Sequence, residues 1–259
     1  MHSETAQANQ NLEKSWSIRF EDLSVGWGDT PVLTDLNLEM PGGQINMILG
    51  GSGCGKSTLL RHILGLNRPM RGSIYLGGHN LFELPRRRFS LLRRRMGVLF
   101  QDGALLGSLT LEENVALPLK EHNLFNKAKI KEIVLHKLSL VGLADFADYY
   151  PNQLSGGMRK RAGLARALAT DPPVLLCDEP TSGLDPINAA QMDELLRDMN
   201  QRLGATIVVV SHDLGSLFNI ADRAIVLHER RAIYNGPPDD LKTSDDPYLR
   251  RFLNRKATV

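Results

Sequence analysis

Residues 16–49 run as short β-like stretches, WSIRF (16–20) and QINMIL (44–49), broken by the turn residues Pro41-Gly42-Gly43. After Gly50 the pattern turns helical from Lys56 to Leu64, and SIYL (73–76) reads as another strand. RRRFSLLRRR (86–95) predicts a basic helix that feeds the strand MGVLF (96–100). From 110 to 170 the spacing is mainly helical. Thr110 and Glu113 stand at capping-box distance. Ile130, Ile133, Val134 and Leu138 recur on one helical face, as do Leu164, Ala165, Leu168 and Ala169. VLLC (174–177) and ATIVVV (205–210) are continuous apolar runs, the pattern of strands covered on both faces. Between them an amphipathic helix is predicted over 187–203, with Asp185 as its cap and Pro186 in its first turn. Strands alternating with helices at both ends predict an α/β fold with a parallel core. The helical middle is then an insert between two of its strands.

Gly50-Gly51-Ser52-Gly53-Cys54-Gly55-Lys56-Ser57 fits G-x-x-x-x-G-K-[ST], with a strand before it and a helix after it. Such a match arises by chance in roughly one chain in a hundred of this length. Its glycines let successive N–H groups turn inward onto phosphate oxygens, and the helix start adds its dipole. Lys56 is placed for the β- and γ-phosphates and Ser57 for Mg²⁺. The run 174–179 ends in Asp178 and Glu179, at the strand end where open α/β sheets take ligands. Asp178 is expected to complete the Mg²⁺ shell through water, since Mg²⁺ takes few protein carboxylates. By strand alternation Glu179 points to the other side, where it can accept a proton from an attacking water. His212 follows the strand 207–210 and is expected beside the same phosphate.

The chain has 259 residues, enough for one large domain. With 42% hydrophobic and 23% charged residues a full core is available and wholesale disorder is excluded. The net charge of +2 is too balanced for a protein whose main work is to hold a nucleic-acid backbone. The two cysteines, Cys54 and Cys177, offer no disulfide framework or metal spacing. No apolar run approaches the ~20 residues of a membrane helix. The opening MHSETAQANQ does not read as a signal peptide, so an intracellular chain is expected.

At Leu154-Ser155-Gly156-Gly157-Met158 the sequence resembles the ATP-binding subunits of ABC transporters. The likeness runs from about Trp16 to Gly236, in the family's order: the loop 50–58, Gln101, LSGGM, LLCDE (175–179), SGLD (182–185) and His212. It implies a P-loop NTPase core with a mainly parallel sheet, an N-terminal antiparallel β subdomain, and a helical insert carrying the LSGG signature. The implied division is a flexible tail (1–15), an ABC ATPase domain (16–240, helical subdomain about 103–170) and a C-terminal tail (241–259).

The resemblance also implies roles. Trp27 stacks on adenine, and residues 50–58, through Ser57 and Thr58, hold ATP. Gln101 touches Mg²⁺ and water and links to the membrane partner. Glu179 is the general base and His212 the switch histidine. Ser155, Gly156 and Gly157 bind ATP held by the opposite subunit of a homodimer, and Asp185 lines the seam.

RRRMGVLFQDGALLGSLTLEENVALPLKEH (93–122), residues 155–172 and 208–227, and DDPYLRRFL (245–253) are similar to the ATPases of Mla/Mce-type phospholipid transporters of bacterial envelopes. That narrower likeness implies phospholipid movement that maintains outer-membrane lipid asymmetry. It also implies integral-membrane permease subunits, an Mce-domain lipid-binding protein, and a peripheral place on the cytoplasmic side of the inner membrane. A small STAS-type regulator is a further implied partner. PTSGLDP (180–186) and the short stretch after Leu253 depart from some of that group. The competing functions are an ABC subunit for another cargo and an ABC ATPase acting on DNA or ribosomes. A simple P-loop kinase is opposed by LSGGM.

Overall fold

The computed structural model describes residues 16–122 and 125–254. The expected tail at 1–15 lies outside them. Antiparallel pairing of β1 (Ile18–Trp27) with β2 (Thr30–Met40) opens the fold. After the turn at 41–44 comes β3 (Ile45–Gly50), then α1 (Lys56–Ile63). β4 (Arg71–Leu76) returns antiparallel to β1, and β5 (His79–Asn80) closes a four-stranded sheet in the order β2-β1-β4-β5.

The basic helix α2 (Arg86–Arg93) leads to β6 (Met96–Leu99). The insert follows as α3 (Leu111–Glu121), α4 (Lys127–Leu140), two short 3-10 turns and α5 (Gly156–Ala167). The chain then makes β7 (Val174–Asp178), α6 (Pro186–Leu203), β8 (Thr206–Val210), α7 (Leu214–Ile220), β9 (Arg223–His228) and β10 (Arg231–Gly236). These give a second sheet in the order β10-β9-β3-β8-β7-β6, parallel except for the β10 edge.

The apolar runs go where their pattern sends them. β8 is buried at every position, and so is β3. Alternate side chains divide between two cores. Met47, Leu49, Ile207 and Val209 face the helices of the insert and α6, while Ile48, Val208 and Val210 face α1 and the antiparallel sheet. Fully burying one such side chain contributes about 1.5–3 kcal/mol, so these strands hold the sheet edge that carries the site firmly in place.

Several elements differ in extent from the sequence pattern. β1 runs on past Phe20 to Trp27, through bulges that keep it paired. The helix expected through Ala169 ends at Ala167, with Leu168 as its cap. The stretch expected as a tail after residue 240 holds structure. α8 (Pro238–Leu241) is followed by α9 (Pro247–Leu253), whose Leu249 is buried and whose Tyr248 ring stacks on His228 at 3.5 Å between centroids.

Candidate nucleotide site

β3, β6, β7 and β8 run parallel, so their carboxyl ends share one edge of the sheet. That edge gathers the loop 50–57, the turn at Gln101, the pair Asp178-Glu179, and His212. The loop can take its path only with glycine at two points. Gly50 has φ 152, and a Cβ there would sit 2.5 Å from the Leu227 carbonyl oxygen. Gly55, with φ 104, starts α1, and a Cβ would meet Val32 at 2.7 Å. Beyond Gly55 the first N–H groups of α1 have no partner within the helix, which suits an anion.

Lys56 is 9% exposed, and its ammonium donates to the carbonyl oxygens of Gly50 (2.9 Å) and Gly51 (3.1 Å). The Ser57 hydroxyl donates to Asp178 Oδ1 at 3.2 Å, across 121 residues of sequence. Burial pushes the Asp178 carboxyl above the ordinary carboxylate range, and the neighbouring Glu179 charge adds to this. The Ser57 hydrogen bond and the charges of Arg61 and Lys56 oppose it. A hydroxyl and one carboxylate side by side are hard oxygen donors and fit Mg²⁺, which keeps its remaining positions for water and phosphate. No group of three or more His, Cys, Asp or Glu side chains forms an all-protein metal cage among the described residues.

Glu179 is the next residue, one step past the end of β7. Its N–H still bonds Val210 O at 2.8 Å, but its φ is 50. A left-handed backbone costs roughly 1–2 kcal/mol for a residue with a Cβ, so the surroundings must hold it there. His212 Nδ1 lies 3.0 Å from both carboxylate oxygens and is aligned for a hydrogen bond with Oε1. Oε2 is buried with no hydrogen-bond partner among the described residues. The pair opens onto a cleft of about 1080 Å³, also lined by Ser182, Asp193, Arg251 and Phe252.

Trp27 ends β1, 45% exposed, with the Arg61 guanidinium 5.5 Å from its ring centroid, so it stands by the helix that follows the loop. Gln101 is exposed in the turn two residues beyond the Leu99–Cys177 pair. That turn is bolted to α5: Arg166 donates to the carbonyls of Ala104 (2.7 Å) and Gly103 (2.8 Å). Cys54 sits inside the loop with its thiol pushed up by burial, and Cys177 is fully buried.

The signature residues lie elsewhere. Ser155 caps α5, its hydroxyl accepting from Met158 N at 3.2 Å. Gly157 lies beside Leu184 and Asn188, and Asp185 accepts from the N–H groups of Ile187 (3.1 Å) and Asn188 (3.0 Å). Hydrogen bonding from the Asn188 side chain holds the Asp185 carboxyl below its ordinary range. Among the described residues no hydrogen bond joins Ser155, Gly156 or Gly157 to the loop 50–57.

One participant carries no sequence signal of its own. Lys160, 6% exposed on α5, donates to the Glu179 carbonyl oxygen (3.0 Å), the Ser182 carbonyl oxygen (2.5 Å) and Ser182 Oγ (2.9 Å). Burial pulls its pKa down, while the charges of Asp102 and Glu179 oppose this.

The sequence model of the ABC transporter family matches residues 33–182. The probable ribonucleotide transport ATP-binding protein mkl of Mycobacterium tuberculosis is 43% identical over 238 residues. The match takes in 92% of this chain and 66% of that protein, so the chain spans about two thirds of its mycobacterial relatives. The intermembrane phospholipid transport system ATP-binding protein MlaF of Haemophilus influenzae is 40% identical over 249 residues, 96% of this chain and 92% of that one. Among solved structures, the dimeric ATP-binding cassette MJ0796 in a post-hydrolysis state with ADP and Pi superposes with a TM-score of 0.77. It is 32% identical and covers 85% of this chain and 98% of its own. With the family model matching more than half of its length, and the phosphate loop, acidic strand end and signature helix in one fold, the chain belongs to the ABC transporter family of ATP-binding proteins.

Proposed function

We propose that this chain is the ATP-hydrolysing subunit of a membrane transporter that moves phospholipid in the bacterial envelope. The observation that carries the catalytic part is the meeting, at one sheet edge, of Ser57 with Asp178 and of Glu179 with His212. The N–H groups of 50–58 bind the phosphates of ATP, and Lys56 exchanges its two loop carbonyls for phosphate oxygens. Ser57 and Asp178, with Gln101, would hold Mg²⁺, which would supply positive charge against that developing on the transferring phosphoryl group. Water attacks the γ-phosphorus; a new P–O bond forms, the bond to ADP breaks, and the water's proton passes to Glu179. His212 orients that carboxylate through its hydrogen bond to Oε1, while Oε2 makes no hydrogen bond among the described residues.

The separation of Ser155–Gly157 from the chain's own phosphate loop supports a head-to-tail homodimer. Each α5 start then meets the ATP of the other subunit, Trp27 stacks on the adenine of its own, and Asp185 lies at the seam. Contacts that exist only while the γ-phosphate is present give ATP the differential affinity a two-state switch needs. No helix among the described residues is long and apolar enough to cross a membrane. The proposed place is peripheral, on the cytoplasmic side of the inner membrane under permease chains. The docking face is the groove lined by Arg93, Arg94, Phe100, Ala104, His122 and Arg166, with exposed Leu106 two residues on from Ala104 in the chain. An Mce-domain protein carries the lipid beyond the membrane, and a small STAS-type protein is the proposed regulator.

The near end-to-end likeness to MlaF favours phospholipid, whereas the name of mkl favours ribonucleotide. Affinity purification from solubilised membranes, with mass spectrometry of proteins and small molecules, separates them. A permease with an Mce-domain protein and phospholipid supports the proposal; a permease with a nucleotide-binding component replaces the cargo; soluble ribosomal or DNA-bound partners alone overturn the transporter. For the chemistry, Glu179→Gln keeps MgATP binding and lowers kcat by about 10²-fold or more. A wild-type rate in that variant removes Glu179 as the base.

A further inference from the structure

The ammonium of Lys160 has three N–H donors, and the structure accounts for all of them: Glu179 O, Ser182 O and Ser182 Oγ. In this arrangement none remains for a phosphate, and all three go to the turn that carries Glu179. Its partners are the backbone of Glu179, held left-handed at φ 50, and the residue three positions on. Ser182 closes the ring from the other side, donating its hydroxyl to the same Glu179 carbonyl at 3.0 Å and its N–H at 3.2 Å. A buried lysine is an expensive way to satisfy two carbonyls that a neutral donor could serve. The charge is offset by Asp102, which follows Gln101, and by Glu179 itself.

We propose that Lys160 is a positioning residue for Glu179: by bonding the Glu179 and Ser182 carbonyls it fixes the backbone turn that aims the Glu179 carboxylate. The inference rests on the reading of Glu179 as general base. Lys160 lies on α5, whose first residues are the signature, so the helix offered to the opposite nucleotide also carries the anchor of the chain's own base. With Lys160 gone, the Glu179 carbonyl retains only the Ser182 bonds and the Ser182 carbonyl loses its Lys160 donor, so the left-handed turn is held less firmly. Bound ATP is not touched, so the loss falls on kcat.

The test is a double-mutant cycle on the full chain, measuring kcat, KM for MgATP and melting temperature. Lys160→Met, apolar and of similar length, lowers kcat at least tenfold with KM within about twofold of wild type. Lys160→Arg, which keeps donors and charge, recovers most of it. In the Glu179→Gln background Lys160→Met adds less than a twofold change, because its effect passes through that side chain. Ser182→Ala gives a smaller loss of the same kind and carries the test should Lys160→Met not fold. An equal multiplicative loss in both backgrounds overturns the inference, as does a rise in KM with kcat unchanged. A wild-type kcat in Lys160→Met together with a collapsed one in Glu179→Gln overturns this inference alone. A wild-type rate in Glu179→Gln overturns the reading beneath it.

Discussion

Asp178 carries a cost that the Mg²⁺ role proposed for it would justify. Its carboxylate is half-buried at the end of a strand, and its pKa lies above the usual carboxylate range because charge is poorly solvated there. The folded chain therefore binds a proton at this position more tightly than the unfolded chain. The charged form subtracts from stability above the folded pKa, and that loss fades as pH falls through it. Asp178→Asn keeps an acceptor for the Ser57 hydroxyl and removes the charge. In chelator its melting temperature should exceed wild type near neutral pH, with the gap closing in acid, while Mg²⁺-dependent ATP hydrolysis is lost. A variant that melts below wild type at every pH would show that the carboxylate stabilises the free fold. Stability given up where function needs a charge is the usual trade at such sites. Glu179 shows the same trade in its backbone rather than its charge.

At the scale of elements, the local signals read in the sequence are the ones with local causes. The capping box of α3 needs only Thr110 and Glu113, and both of its bonds form: Thr110 N to Glu113 Oε2 at 2.9 Å, and Glu113 N to Thr110 Oγ1 at 3.2 Å. Asp185 caps α6 as its spacing predicts. The pairing of Glu179 with His212, the grip of Lys160 and the packing of Tyr248 on His228 join residues distant in sequence, and no periodicity encodes them. Asn114 is a further case. Fully buried one turn into α3, it accepts from Leu106 N at 2.8 Å and donates to the carbonyls of Leu106, Leu109 and Thr110, so it holds the loop after Gln101. Thr110→Ala should cost about 1 kcal/mol. Asn114→Ala orphans buried backbone groups and should cost more, about 2–3 kcal/mol. Urea unfolding of both variants checks the order, and a reversed order would mean that the loop draws its stability from the cap.

Over the whole molecule the charge is nearly balanced, yet it is not evenly spread. Six arginines lie in α2 and the two residues between it and β6, and two of them, Arg93 and Arg94, line the groove beside Phe100 and Arg166. Burial and the Arg94 charge hold His122, on the same groove, below its ordinary range, so it adds little positive charge near neutral pH. Three guanidiniums beside Met96, Val98 and Phe100, against the turn that carries Gln101, favour an acidic, partly apolar segment of the proposed permease partner over a lipid surface alone. An anionic membrane would reward the outer arginines at about 1 kcal/mol each but would not need the groove. Arg93→Glu with Arg94→Glu separates the two. The purified double variant should hydrolyse ATP at the wild-type rate, since neither residue reaches the nucleotide edge. Its recovery with the permease from solubilised membranes should fall at least tenfold, and wild-type recovery should itself decline as salt is raised. Loss of binding to anionic vesicles with undiminished permease recovery would assign these arginines to the membrane and leave the docking of the motor to Leu106 and its neighbours.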